Sequence, residues 1–142
     1  MEEQRTAKVL VVDDEADNAC VLAMGLRMER FEVETASNAE EALLTMAGAT
    51  FDFAIVDLMM SGTNGIALAR MIRERFPCAR VVLISAYHLS ERQLVLADCG
   101  AVGFVPKPFD LSELASFLRS KLATDPAGDV AEANRDAARP GI

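Results

Sequence analysis

The chain has 142 residues, 51% of them hydrophobic, which is enough apolar surface for one closed core. Its 22 acidic against 14 basic residues leave a net charge of -8, which argues against direct contact with nucleic acid or an anionic membrane. Cys20, Cys78 and Cys99 are odd in number and widely spaced, so neither a disulfide framework nor a thiolate zinc site is expected, and a reducing cytoplasm fits. Residues 1–8 are charged and no apolar run reaches the roughly 18 residues of a membrane span, so neither secretion nor insertion is expected.

A strand is expected over 8–12, a helix over 17–29, and a second strand over 31–35. Ser37 with Glu40 has the spacing of a capping box for the next helix, after which strand residues return at 51–56. A helix is expected over 64–76 with Asn64 as its cap, then a strand over 80–84. Ser90 with Gln93 opens a helix over 90–98, and a fifth strand occupies 102–105. Asp110 with Glu113 caps the last helix, whose Leu111, Leu114, Leu118 and Leu122 fall on one face. Met24, Met28 and Met46 stand at helical spacing and are expected to fill the core.

Several strands are apolar at consecutive positions, as in a parallel sheet buried on both faces, and five βα units account for the whole. Domain residues are expected over 6–123. From 124 to 142 the composition turns to Ala, Asp, Asn, Arg, Gly and Pro, which favours a solvated, disordered terminus over a docking peptide.

Functional groups in an open parallel sheet collect beyond the carboxyl ends of its strands. Asp13 and Asp14 directly follow the first strand and Asp57 follows the third. If those strands are neighbours, three carboxylates converge. Each raises the pKa of the others, so a cation belongs there, and all-oxygen donors without His or Cys suit Mg2+. An isolated acid after an apolar run is usually a cap; three together are not so easily explained. Ser85 and Lys107 stand beyond the fourth and fifth strands, where a hydroxyl and an ammonium can hold two phosphoryl oxygens.

The set Asp13-Asp14, Asp57, Ser85 and Lys107-Pro108 resembles the response regulator receiver family, typified by the bacterial chemotaxis regulator, over residues 8–122. The resemblance implies a doubly wound, flavodoxin-like α/β fold: a five-stranded parallel sheet in the order 2-1-3-4-5 with five helices. It further implies that Asp57 accepts a phosphoryl group from a sensor histidine kinase or histidine phosphotransfer protein. Asp14 and Asp57 would ligate Mg2+ directly, Asp13 largely through water, and Met59 through its carbonyl. Ser85 and Lys107 would clasp the phosphoryl group, the Lys107-Pro108 peptide would be cis, and Gly65 matches the glycine ending the loop after the acceptor. Phe104 holds the switch-aromatic position, turning inward when Ser85 moves. Output would pass to a downstream protein through the surface of the 90–98 helix, the 102–105 strand and the helix after Asp110. The same resemblance leaves room for a phosphorylation-dependent homodimer, and a stand-alone regulator is expected.

Ser61 stands where the family commonly has proline, which loosens the loop beside the metal. A phosphatase of the haloacid dehalogenase type would need an Asp-x-Asp pattern after the first strand, which Asp13-Asp14-Glu15 lacks. A flavodoxin-type nucleotide module would need a glycine- or hydroxyl-rich loop there. A degenerate receiver, serving only as a binding module, would not be expected to keep all the acids and the lysine.

Overall fold

The computed structural model describes residues 6–58, 60, 64–85 and 100–122. The helix expected over 90–98 and the segment from 124 onward lie outside them. In chain order the elements are β1 (Lys8–Val12), α1 (Ala16–Met28), β2 (Glu32–Ala36), α2 (Ala39–Ala47), β3 (Phe53–Asp57), α3 (Gly65–Arg75), β4 (Arg80–Ser85), β5 (Gly103–Pro106) and α4 (Leu111–Lys121). All four strand pairings are parallel, and the order β2-β1-β3-β4-β5 is the flavodoxin-like order implied by the resemblance. Four of the five expected helices fall among the described residues.

Residues of β1, β3 and β4 alternate between two apolar layers. Val9, Val11, Phe53, Ile55, Val82 and Ile84 face Leu22, Leu26, Leu114 and Leu118 of α1 and α4. Leu10, Val12, Ala54, Val56, Val81 and Leu83 face Ala42, Met46, Leu68 and Ile72 of α2 and α3. That double burial is why the central strands read as unbroken apolar runs. The edge strand β2 instead keeps two buried positions, Val33 and Ala36, among exposed neighbours.

Local chemistry sets the helix ends. Asn38, one residue later than expected, caps α2: its side chain accepts from the Glu41 amide at 2.8 Å, while the Glu41 carboxylate reaches back to the Ser37 amide at 2.6 Å. The box is therefore Asn38 with Glu41 rather than Ser37 with Glu40, since the amide carbonyl of Asn38 reaches the orphan N–H three residues on. Asn64 and Asp110 cap α3 and α4 as expected, accepting from Ile66 and from Ser112 and Glu113. Helix α1 ends in a Schellman arrangement, Phe31 N–H to the Leu26 carbonyl at 3.1 Å and Arg30 N–H to the Arg27 carbonyl at 3.0 Å. Arg30 takes the left-handed conformation there, at φ 75°, where glycine is usual.

Three apolar residues assigned to the core are not in it. Met46 is buried, but Met24 and Met28 are 56% and 85% exposed, and Leu122 lies just past the end of α4 at 37%. Helix α1 is apolar nearly all round, so helical spacing alone could not say that Ala19, Leu22, Ala23 and Leu26 make the inner face. No helix of the described residues is long and apolar enough to cross a membrane.

Candidate functional site

The sheet order places β1 beside β3 with Val12 opposite Val56, so the chain leaves both strands at the same height. Asp13 follows β1, its amide held by the Ala36 carbonyl at 3.1 Å; Asp57 is the last residue of β3, and the next amide, Leu58, bonds the Ile84 carbonyl at 2.8 Å. Ser85 ends β4 in register with Pro106, and its carbonyl accepts from the Lys107 amide at 2.8 Å. Four groups from four strand ends thus meet at one edge. Asp13, Asp57 and Ser85 are buried, Asp14 is partly exposed, and the Lys107-Pro108 peptide is cis.

The Lys107 ammonium lies 3.2 Å from Asp57 Oδ2 and 3.8 Å from Asp13 Oδ2. One cation therefore serves two buried carboxylates, with the Asp14 charge also acting on Asp13. Burial pushes the Asp13 carboxyl above its ordinary range, and the Asp57 and Asp14 charges push it the same way. The Glu15 amide, donating to Asp13 Oδ1 at 2.9 Å, and Lys107 oppose that shift without cancelling it. Among the described residues, the negative charge at Asp13 is not balanced by positive charge.

A divalent cation would supply it. Among the described residues no three acidic, histidine or cysteine side chains close on a single point. Mg2+ does not require that, because it retains several waters and typically takes one or two protein carboxylates. The donors present, hard oxygens on neighbouring strand ends with a raised carboxyl among them, fit such an ion. Met59 lies outside the described residues.

Gly65 explains how the end of β3 is held. A β-carbon on Gly65 would stand 2.6 Å from the Asp57 carbonyl oxygen and 2.7 Å from the Leu58 Cα, so the first turn of α3 rests directly on the backbone of Asp57 and Leu58. Its amide completes the contact at 3.2 Å from the Leu58 carbonyl. Phe104, on β5, is partly buried and packs against the layer formed with α2 and α3. The Glu15 amide that bonds Asp13 is only two residues along the chain, a local turn contact of the kind Asp side chains make, and was not among the sequence-based expectations.

A parallel sheet in this order, with acids beyond its first and third strands and a lysine beyond its fifth, defines a phosphoacceptor class of signalling module. The chain belongs to the response regulator receiver domain family, whose model matches residues 9–119, and so to two-component signalling. It is 31% identical over 122 residues to the transcriptional regulatory protein ResD of Bacillus subtilis, covering 86% of this chain and 50% of that protein. The chain spans about half the length of the curated relatives it matches. Among solved structures, the response regulator TrrA of Thermotoga maritima in complex with Mg2+-BeF is 33% identical with a TM-score of 0.72, over 81% of this chain and 98% of that one. A response regulator from Burkholderia pseudomallei with a phosphorylated aspartic acid and calcium ion is 29% identical with a TM-score of 0.70, over 82% and 73%.

Proposed function

We propose that Asp57 accepts a phosphoryl group from a phosphohistidine on a sensor kinase or phosphotransfer protein, and that the module switches a partner-binding surface in response. The observation that carries this is the Lys107 ammonium, shared at 3.2 and 3.8 Å by two buried carboxylates at the end of a parallel sheet. The module takes in residues 6–123, in keeping with a buried core that extends from Ala7 to Leu118.

Asp57 attacks phosphorus in line with the leaving nitrogen. Lys107 and Ser85 hold two of the phosphoryl oxygens, and fixed positioning supplies most of the rate. Asp14 and Asp57 would hold Mg2+ directly and Asp13 through water, with the carbonyl of Met59 as a further ligand; when bound, that ion neutralises charge on the transferring group. Ser85 then draws towards the phosphoryl group and Phe104 follows it inward. The shift repopulates two states of the surface that includes β5 and α4, and a downstream protein reads it. The receiver catalyses its own phosphorylation and dephosphorylation.

Incubation with acetyl phosphate and Mg2+, followed by intact mass, tests the assignment. One phosphate adduct, absent without Mg2+ and absent in Asp57→Asn, is the expected result. Steady hydrolysis of a phosphomonoester would instead mark a phosphatase, and no adduct under any donor would mark a binding module.

A further inference from the structure

A groove of about 620 Å³ opens beside the acids, and it shares Asp13 and Lys107 with them. Its walls are apolar, with Val21 and Leu22 from α1 on one side and Phe109 and Leu111 leading into α4 on the other. That volume lies within the range of small-ligand sites, which are mostly apolar with a few placed polar groups. Among the described lining residues Lys107 is the one cation and Asp13 the one anion. An anionic head with an uncharged aliphatic tail matches this wall; a second anionic group on the tail would meet Asp13.

We infer that the groove seats the organic part of a small-molecule phosphodonor, and that aliphatic acyl phosphates longer than acetyl phosphate are the preferred donors. The inference rests on Asp57 as the acceptor. With the phosphoryl group at Lys107 and Ser85, the acyl chain of the donor lies along Val21 and Leu111 while its reacting end stays in the acid pocket. The bond from phosphorus to the acyl oxygen breaks as the bond from phosphorus to Asp57 Oδ forms. The acyl carboxylate leaves with the electron pair, so charge balances with no proton moved.

Each methylene moved out of water is worth close to a fourfold gain in affinity, so butanoyl phosphate is expected to label the full chain about tenfold faster than acetyl phosphate at subsaturating donor. Rates are read by intact mass in Mg2+ for acetyl, butanoyl and hexanoyl phosphate, each divided by that donor's rate of spontaneous P–O hydrolysis as the dianion to remove intrinsic reactivity at phosphorus. Val21 is 70% exposed, so Val21→Trp leaves the core intact while filling the groove, and the butanoyl-to-acetyl ratio should fall towards one. A ratio below two in the unsubstituted chain, as for a groove that accepts only a protein donor, overturns the inference, and so does a ratio that survives Val21→Trp. Equal labelling by all three donors removes only the groove's role, whereas labelling by none removes Asp57 as acceptor.

Discussion

Adding one methyl group at Gly65 tests whether Asp57, the proposed acceptor, is held by direct helix-to-backbone contact. Ordinary van der Waals contact for a β-carbon begins near 3.4 Å, and the new carbon would start 2.6 Å from the Asp57 carbonyl oxygen, so α3 or the end of β3 must give way by about 0.8 Å. Both nearest atoms are backbone, with no side chain to rotate aside. Overpacking of this kind costs about 1 to 3 kcal/mol, only partly offset by alanine's better helix propensity. Gly65→Ala is therefore expected to lower Tm by roughly 5 to 10 °C. The displacement also falls on the Asp57 backbone, whose side chain must stay within reach of Lys107 at 3.2 Å. Misplacement of close to 1 Å slows a positioned reaction by up to about 100-fold, so the rate constant for labelling by acetyl phosphate should drop by about one to two orders of magnitude. Calorimetry and a quenched-flow labelling assay on the same preparation read both effects. A variant within 1 °C and twofold of the parent would show that the contact is soft and that Gly65 does not position the acceptor.

Arg30 occupies the left-handed C-terminal position of α1 at φ 75°, so Arg30→Gly should stabilise the domain by about 0.5 to 1 kcal/mol in urea unfolding; a loss of stability would mean that the arginine side chain contributes more than its backbone costs. Asp110→Ala removes the acceptor for the Ser112 and Glu113 amides and should cost about 1 kcal/mol, with no change in the unfolding slope m. Asp13→Asn keeps an oxygen for the Glu15 amide but cannot ionise. Because the folded pKa of Asp13 lies above the 3.8 of the free side chain, the native state holds the proton more tightly, and the parent loses stability as pH rises through that interval. In EDTA the variant should match the parent at low pH and exceed it once Asp13 is ionised, with the advantage shrinking when Mg2+ is added. An Asp13→Asn protein less stable than the parent at neutral pH in EDTA would contradict the sign.

The fold was legible in the sequence to the extent that burial is two-sided. Strands β1, β3 and β4 carry unbroken apolar runs, Val9 to Val12, Phe53 to Val56 and Val81 to Ile84, because layers cover both their faces, and parallel pairing is what that pattern suggests. Helix α1 was legible in extent but not in orientation. Ala19, Leu22 and Leu26 face the sheet while Val21, Met24 and Met28 face outward, and a helix apolar on both sides carries no periodic signal to separate them. The α2 cap moved by one residue because Ser37 and Asn38 are both competent acceptors, and in the structure it is Asn38, extended at φ -158° and ψ 173°, whose side chain accepts from the Glu41 amide.

Site residues were more visible than their relations. Asp13, Asp57, Ser85 and Lys107 were marked by their places after apolar runs, and the sheet order then brings them together without any further feature of the chain. What sequence cannot carry is the sharing of one ammonium between two acids, because it depends on strands β1, β3 and β5 ending at a common height, although Lys107 is 50 residues from Asp57 and farther still from Asp13. That shared cation has a physical consequence for switching. On the proposed function, phosphorylation of Asp57 gives Lys107 a new anionic partner, and Lys107 directly follows β5, the strand that carries Phe104. A pull on Lys107 is therefore a pull on β5, whose Gly103 is in such close contact with the Phe117 ring that a β-carbon there would stand 2.6 Å from it. On that reading, displacement at the acid pocket would reach α4 through the packed contact of Gly103 with Phe117.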